Sequence, residues 1–331
     1  MRFLPIFLFV LLPIFLFAQQ PIELGQVTWL RDIDEAQQLS EKEDKPIFLL
    51  FQEVPGCSTC QRYGEKVLSH PLIVEAIETC FISLAIHNNK RGKDREVLDY
   101  FGEPSWNNPV VRIIDAERQD LMPRLSSNYT PLAVVQSMIH ILKNPPSYLR
   151  ILQEELLAVA GGTKTTTLSM YCFWSGELNI GAIEGVVATE LGFMHGREVV
   201  QVEYSPIITD YATIIKTANA AKCADRAFVH DEEEAKTATQ FLGKQQVRQK
   251  GNFRFDKGRK YYLSKTHYRF VPMTPLQAIR ANHRIANRQS LGDVLSPRQL
   301  ALAAKIKQQS DKQWKNQIGE PIEAGMSLLL P

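Results

Sequence analysis

Two cysteine sites contain the residues of this chain whose types and spacing could do redox chemistry. Cys57 and Cys60 are separated by two residues and follow an apolar, strand-like run over residues 46–51. The N-terminus of a helix stabilises a thiolate, which would lower the pKa of Cys57, while Cys60 lies one turn later and is sheltered. This spacing predicts a dithiol in which Cys57 attacks a substrate and Cys60 resolves the mixed disulfide.

The second cysteine site is Cys172, which follows a β-rich stretch over residues 166–171 and precedes the small-residue turn 175–177. A thiolate at the start of a helix could attack the sulfur of a sulfoxide and become a sulfenic acid, which a second thiol must then reduce. Glu198 is the candidate proton donor, because a carboxyl group in an apolar pocket has a raised pKa.

Aromatic residues near the second site could form the substrate pocket. Phe173 and Trp174 follow the cysteine directly and could surround a methyl group. Tyr261 or Tyr262 could donate a hydrogen bond to the sulfoxide oxygen. The alternative is that these aromatic residues are ordinary core or sheet residues and that Cys172 is a buried core thiol.

Three further residues leave alternatives open at the first and second sites. His70 and Cys80 could complete a zinc site with the Cys57–Cys60 pair, although Cys80 precedes an apolar strand and is more typical of a buried core thiol. Cys223 could resolve Cys172 or could be a surface or packed thiol.

Bulk composition limits the class of protein. The chain has 331 residues, which is long enough for two domains, and its hydrophobic fraction of 44% is ordinary for globular proteins. Its net charge of +2 argues against a nucleic-acid partner. Residues 3–17 are apolar after the single charge of Arg2, a run of about 15 residues where a membrane span needs about 20. Residues 1–18 are therefore predicted to be a signal peptide, with no stable membrane span and a periplasmic or secreted location. An uncleaved anchor is the alternative.

The order of predicted elements indicates two α/β units. The first half reads α, β, α, β, β, α and suits a small α/β layer fold. The pair Pro145-Pro146 ends this unit, and a linker helix over residues 148–160 ends at Gly161-Gly162. We therefore expect one domain over residues 19–143, a linker over 144–162 and a second domain over 163–309. Residues 310–331 form a polar tail.

The second half has the β-α-β-β-α-β order of ferredoxin-like domains. We expect a helix over residues 209–221 capped by Thr209, and a strand over the tyrosine-rich residues 260–271. Two capping boxes, at Thr274 and at Ser296, predict the starts of two later helices.

Residues 25–142 resemble a thioredoxin-fold domain, through the strand that leads into Cys57-x-x-Cys60 and the proline that precedes a later strand. The resemblance implies that Pro109 is the cis-proline beside the active disulfide. The sequence Val54-Pro55-Gly56-Cys57 is also similar to thioredoxin-like proteins with selenocysteine at the first position.

Residues 166–280 resemble the A-type peptide-methionine sulfoxide reductases. The resemblance implies Cys172 as nucleophile, Glu198 as acid, Tyr261 as the oxygen-binding donor and Asp256 as a residue that shapes the site. The flanking glycines of the family are replaced here by Tyr171 and Ser175, and no cysteine follows Cys223. The matching segments are Cys172-Phe173-Trp174, residues 184–189, residues 198–202 with Tyr204 and Pro206, Asp256-x-Gly258-x-x-Tyr261 and Thr274-Pro275-x-Gln277.

Together these features predict an α/β (α+β) protein that is an exported thiol oxidoreductase. Cys172 would reduce methionine (S)-sulfoxide, free or in proteins, and the tethered Cys57–Cys60 dithiol would return it to the thiol. The expected partner is a membrane thiol-disulfide electron donor, with no bound cofactor or metal. In one alternative the chain is a protein-disulfide reductase or isomerase whose second domain only binds peptide. In another, both domains are non-catalytic binding modules.

Overall fold

The structure is a computed structural model that describes residues 20–256 and 260–309, together with Trp314, Ile322 and Gly325. The predicted signal peptide, the glycine of the Asp256-x-Gly258 motif and most of the predicted polar tail lie outside the described residues. Within the described part of the chain, no helix combines the length and apolar character needed to cross a membrane.

The first half begins with a 3-10 turn over Ile22–Leu24 and then alternates helices and strands. Strand β1 is apolar except for its last residue, Gln52, and is fully buried, because helices cover both faces of the sheet that contains it. The elements are α1 (Ile33–Glu43), β1 (Ile47–Gln52), α2 (Ser58–Lys66), α3 (Pro71–Cys80), β2 (Ile82–His87), α4 (Lys93–Tyr100), β3 (Val110–Ile114), β4 (Leu125–Ser126), α5 (Pro131–Ile141) and α6 (Ser147–Gly161).

The first sheet has the strand order β2-β1-β3-β4, with β1 parallel to β2 and antiparallel to β3. Alternate residues of β1 point to opposite faces, so that Phe48 and Leu50 join one apolar cluster while Leu49 and Phe51 join another. The Cys57–Cys60 pair therefore lies beyond the C-terminal end of β1, at the start of α2.

The expected α/β (α+β) fold class is confirmed. The second half does contain a β-α-β-β-α-β order, but its last strand is Ala224–Val229, which sequence reasoning had not identified, and not residues 260–271. Its six-stranded sheet has the order β10-β6-β7-β5-β8-β9. The elements are β5 (Lys164–Met170), α7 (Phe173–Ile180), β6 (Val186–Met194), β7 (Arg197–Tyr204), α8 (Tyr211–Ala220), β8 (Ala224–Val229), α9 (Glu232–Leu242), β9 (Val247–Gln249), β10 (Arg254–Phe255), α10 (Tyr261–Ser264), α11 (Pro275–Ala286) and α12 (Pro297–Lys307), with 3-10 turns at Lys244–Gln246 and His267–Phe270.

The predicted strand over residues 260–271 is wrong, because this segment forms α10 and a 3-10 turn. The side chain of Asn282 on α11 accepts hydrogen bonds from the N–H groups of Tyr262 and Leu263, both at 3.0 Å, and these bonds fix the first turn of α10. The helix predicted to be capped by Thr209 is capped by Asp210, whose carboxylate accepts a hydrogen bond from the N–H of Thr213. Both predicted capping boxes are present.

The C-terminal segment of the second half packs into the apolar core of the first half. Helix α6 contributes Leu149 and Leu152 to the cluster of the first half, and Ile151 packs against the clusters of both halves. Residues from position 270 onward, among them Phe270 and Leu302, also belong to the cluster of the first half. The predicted domain boundaries stay a prediction, since the segment assigned to the second domain continues into the core of the first.

Polar contacts add to this junction. Glu154 of α6 accepts a hydrogen bond from the N–H of Gly185 at 3.1 Å and forms an ion pair with Arg280 at 3.0 Å. Glu75 of α3, which is 1% exposed, accepts a hydrogen bond from the N–H of Arg298 in the first turn of α12. The linker helix and α12 are therefore both fixed against neighbouring elements.

Candidate active site

The Cys57–Cys60 pair lies at the N-terminus of α2, as the spacing predicts. Cys57 is the exposed N-cap residue of this helix, and Cys60 is fully buried one turn later. Both thiols are free, and their sulfur atoms are 3.4 Å apart. The pair can therefore form a disulfide with little movement of the backbone.

The two thiols differ in acidity. A hydrogen bond from the backbone N–H of Cys60, assisted by that of Thr59, lowers the pKa of Cys57 below its usual value. Burial raises the pKa of Cys60 to about 12, and the hydrogen bond and charge of Cys57 act in the same direction. At neutral pH Cys57 is the better nucleophile and Cys60 stays protonated.

The loop before Pro109 completes the surroundings of the buried thiol. The Cys60 thiol donates a hydrogen bond to the side-chain oxygen of Asn108, and the Asn108–Pro109 peptide bond is cis, as the thioredoxin resemblance implies. Sequence reasoning did not identify Asn108, although its position next to the expected cis-proline was a signal for it.

Two further residues fix the loop that carries Cys57. Glu23 accepts a hydrogen bond from the N–H of Gly56 at 2.8 Å, and buried Gln52 donates to the backbone oxygens of Glu23 and Cys60. A β-carbon at Gly56 would lie 2.3 Å from the carbonyl oxygen of Glu53, so that only glycine fits there. No sequence pattern pointed to Glu23 or Gln52.

The zinc alternative required His70 and Cys80 beside the pair. Among the described residues, the possible metal-ligand atoms of Glu53, Cys57 and Cys60 all lie within 4.8 Å of one another. Neither His70 nor Cys80 belongs to this group. Cys80 is half-buried at the end of α3, and burial raises its pKa. The four-ligand arrangement is therefore not formed.

The second site lies where the ends of several strands meet. Cys172 is the N-cap residue of α7 and is half-buried. The Glu198 carboxylate accepts a hydrogen bond from the N–H of Phe173 at 3.1 Å, which places it beside the cysteine. The sheet register explains this arrangement, because the pairing of Ser169 with Val199 aligns the end of β5 with the start of β7.

Aromatic rings surround this helix start. Trp174 and Tyr261 stack with ring centroids 4.2 Å apart and an interplanar angle of 18°, and Phe173 packs against Trp174 and against Phe193. Tyr262 packs edge-on against Tyr261. The structure thus brings together Phe173, Trp174 and Tyr261, and adds Phe193, which sequence reasoning had not singled out.

Asp256 follows β10, and its N–H donates a hydrogen bond to the carbonyl oxygen of Leu191 on β6. A buried ion pair that sequence reasoning missed lies nearby, between Lys260 and Glu177 at 2.9 Å, and Thr189 also bonds to both side chains. The roles predicted for Asp256 and Tyr262 stay predictions.

Cys223 lies at the same end of the sheet as Cys172, because Met170 of β5 pairs with Ala224 of β8. Cys223 is buried, donates a hydrogen bond to the carbonyl oxygen of Ala218 at 3.4 Å, and burial raises the pKa of its thiol. These features describe a packed thiol, and its predicted resolving role stays a prediction.

The two cysteine sites are separate in the structure. The described group that contains Cys57 and Cys60 within 4.8 Å does not include the sulfur of Cys172.

Comparison with known proteins identifies the first half. Residues 28–116 match a family model described as thioredoxin-like, and this segment includes β1, the Cys57–Cys60 pair and Pro109. One solved structure, titled "DsbH Oxidoreductase", matches with 19% sequence identity and a TM-score of 0.32, and the match covers 39% of this chain and 94% of that chain. Comparison with curated proteins gave no match. The N-terminal region of this chain is a thioredoxin-like domain.

Proposed function

We propose that this chain is a thiol-disulfide oxidoreductase in which Cys57 is the nucleophile and Cys60 the resolving thiol. The observation that supports this most directly is the difference in exposure and acidity between the two thiols. Cys57 is exposed with a lowered pKa, whereas Cys60 is buried with a pKa of about 12, and the two sulfur atoms are 3.4 Å apart.

The reaction proceeds by two thiol-disulfide exchanges. The Cys57 thiolate attacks one sulfur of a substrate disulfide, forms a mixed disulfide and releases the other sulfur as a thiolate, which takes up a proton. Cys60 then loses its proton and attacks the sulfur of Cys57, which releases the second substrate thiol and leaves a Cys57–Cys60 disulfide. An external thiol reductant reopens this disulfide by the same exchange.

A single-turnover assay tests this function. Pre-reduced protein, freed of reductant, is mixed with hydroxyethyl disulfide, and we expect two equivalents of mercaptoethanol per protein as the Cys57–Cys60 disulfide forms. Cys57→Ser, combined with Cys172→Ser to remove the other candidate nucleophile, should abolish the release. Cys60→Ser should stop after one equivalent with a mixed disulfide on Cys57, which mass spectrometry detects.

Cys80→Ser is the matched control, because Cys80 is a half-buried thiol outside both sites, and it should behave like the wild type. A wild-type protein that releases no mercaptoethanol would refute the proposed function.

A second candidate function is reduction of methionine (S)-sulfoxide at Cys172. It is supported by the Glu198 carboxylate at the start of α7 and by the stacked rings of Trp174 and Tyr261 beside it. Tyr171, which stands where the resembling family has glycine, is 80% exposed and does not fill the aromatic site.

In this reaction the Cys172 thiolate attacks the sulfoxide sulfur while the oxygen takes a proton from Glu198. The oxygen is transferred to the Cys172 sulfur as its bond to the methionine sulfur breaks, so that methionine leaves and Cys172 becomes a sulfenic acid. A thiol then condenses with the sulfenic acid, releases water and forms a disulfide. We propose that this thiol belongs to the Cys57–Cys60 pair.

The second function has its own assay, which is loss of each epimer of a methionine sulfoxide with dithiothreitol as reductant. We expect loss of the (S)-epimer alone, no loss with Cys172→Ser, and a slower reaction with Glu198→Gln. If the wild type consumes neither epimer, the sulfoxide function is refuted, and the dithiol function stands by itself.

The apolar, nearly uncharged residues 1–18 support a location outside the cytoplasm. In such a compartment the Cys57–Cys60 disulfide must be reopened by electrons from elsewhere. We therefore propose a membrane thiol-disulfide protein as the physiological reductant.

A further inference from the structure

An open groove of about 740 Å³ lies beside the loop that carries Cys57. It is lined by the residues that follow β2 and by the loop that precedes the cis-proline. The lining residues that matter below are Glu53, Asn89, Lys90, Arg91, Arg95 and Trp106.

Asn89 joins the groove to the Cys57 loop. Its side-chain oxygen accepts a hydrogen bond from the N–H of Val54, and its side-chain nitrogen donates to the carbonyl oxygen of Pro55, both at 3.3 Å. Glu53, another lining residue, has its carboxylate within 4.8 Å of the Cys57 and Cys60 sulfur atoms. A polypeptide in the groove would therefore pass directly beside the nucleophile.

The groove concentrates positive charge. The groove is lined by three basic residues, Lys90, Arg91 and Arg95, and by one acidic residue, Glu53. The formal charge of the lining is therefore +2, which is the same as the net charge of the whole chain. Within the described part of the chain neither Lys90 nor Arg91 forms a salt bridge. Arg95 pairs only with Asp99, and both side chains are more than half exposed, so that this pair holds the guanidinium weakly.

Trp106 supplies an apolar contact surface at the same place. This side chain is 81% exposed, the highest value among the exposed large hydrophobic residues of the described chain. A tryptophan left open to water beside arginine and lysine is typical of a binding surface, because such residues contribute most to the energy of interfaces.

We propose that this groove binds an acidic polypeptide segment that carries the disulfide attacked by Cys57. The proposal rests on the dithiol function proposed above and names its substrate class. Carboxylates on the segment contact Lys90 and Arg91, an apolar residue covers Trp106, and the adjacent disulfide is presented to the Cys57 sulfur. Opposite charges raise the rate of encounter and exclude basic segments.

Three peptides test the proposal, each with the same internal disulfide ring and the same leucine, flanked by four glutamates, four glutamines or four lysines. The second-order rate constant for oxidation of the pre-reduced full chain is measured for each. We expect the acidic peptide to react at least ~5-fold faster than the neutral one at low ionic strength, and the advantage to shrink as salt is added.

The variant Lys90→Glu with Arg91→Glu should remove this preference and bring the ratio of acidic to neutral rate constants to 1 or below. The matched control is Lys216→Glu with Lys236→Glu, which makes the same change of charge at exposed positions of α8 and α9 and should keep the wild-type ratio. Trp106→Ala should slow the acidic and the neutral peptide together.

Equal rate constants for the three peptides with the wild type, while hydroxyethyl disulfide is reduced, would overturn the groove proposal and leave the dithiol function intact. A preference that the control pair also removes would overturn it too, because the effect would then come from overall charge. A protein that reduces neither the peptides nor hydroxyethyl disulfide would refute the dithiol function, and the groove proposal with it.

Discussion

The difference between Cys57 and Cys60 arises from their positions one turn apart on the same helix. The first thiol meets free N–H groups at the start of α2, and the second is enclosed by the protein. A short stretch of sequence thus produces a thiolate and a protected thiol in contact. This is the arrangement that a two-step exchange needs.

The lowered pKa of Cys57 predicts its alkylation behaviour. As pH rises through that lowered value the thiolate fraction increases and then levels off, so we expect the rate of alkylation to reach its plateau at a lower pH than for a model thiol with a pKa of about 8.5. Peptide mapping after iodoacetamide pulses at different pH values measures this. A Cys57 profile that coincides with that of glutathione would contradict the expectation.

The hydrogen bond from Cys60 to Asn108 exists only while Cys60 is a thiol, and it therefore stabilises the reduced state. We expect Asn108→Ala to make the reduction potential of the pair more negative by about 10–30 mV, since such a bond contributes about 0.5–1.5 kcal/mol. Equilibration with a glutathione buffer measures the potential.

Asn107→Ala is the neighbouring control, because the side-chain oxygen of Asn107 accepts from Ser126 and not from a sulfur. A potential that is unchanged in Asn108→Ala, or shifted equally by both substitutions, would show that the hydrogen bond does not act on the redox pair.

At the scale of elements, helix starts that depend on neighbouring residues were predicted correctly, whereas a segment that is fixed by a distant contact was not. The capping boxes at Thr274 and Ser296 involve residues three apart, and both helices begin where the sequence indicated. The tyrosine-rich segment 260–271 has β propensity, but Asn282, some twenty residues later, fixes it as a helix.

The candidate sites follow the same rule. The Cys57–Cys60 spacing and the Cys172-Phe173-Trp174 run were visible in the sequence because each is a local pattern. Phe193 and the Glu177–Lys260 pair were not visible, since they reach their sites through strand pairing and through contacts between distant segments.

Glu75 connects α3 to α12 by accepting a hydrogen bond from the N–H of Arg298. Glu75→Ala leaves that N–H without its partner, and we expect a loss of about 1–3 kcal/mol in the free energy of unfolding, measured with urea. Glu75→Gln keeps an acceptor oxygen and should cost less. Glu65→Ala, on the exposed side of α2, is the control, and an equal effect of both alanine substitutions would contradict this role.

His87, the last residue of β2, makes stability depend on pH. Burial lowers its pKa to about 4, below the ordinary histidine value of about 6.5, so that between these two values the unfolded chain binds more protons than the folded one. The folded state therefore keeps its full stability above about pH 6.5 and loses stability as pH falls towards 4.

Urea unfolding of the wild type and of His87→Gln across pH 4 to 7 tests this prediction. Glutamine does not titrate, so we expect the variant to lose less stability on acidification than the wild type. Parallel pH profiles for the two proteins would show that His87 is not responsible.

At the scale of the whole molecule, the apolar cluster of the first half includes residues of α6 and residues from position 270 onward. We expect thermal unfolding of the full chain to follow one transition, because opening of either half disrupts this cluster. A fragment of residues 20–162 would expose the apolar surface that Phe270 and Leu302 cover, and should bind the dye ANS and lack a cooperative transition. Two separate transitions in the full chain would contradict the shared core.

The fixed position of α6 has a consequence for the kinetics of any electron relay. If the contacts of Ile151 and Glu154 hold the halves so that Cys57 and Cys172 of one molecule cannot meet, the dithiol must serve the second site of another copy. Sulfoxide turnover supported by the internal dithiol would then grow with the square of protein concentration. If α6 instead bends enough for the two sites of one molecule to meet, this turnover would be directly proportional to protein concentration.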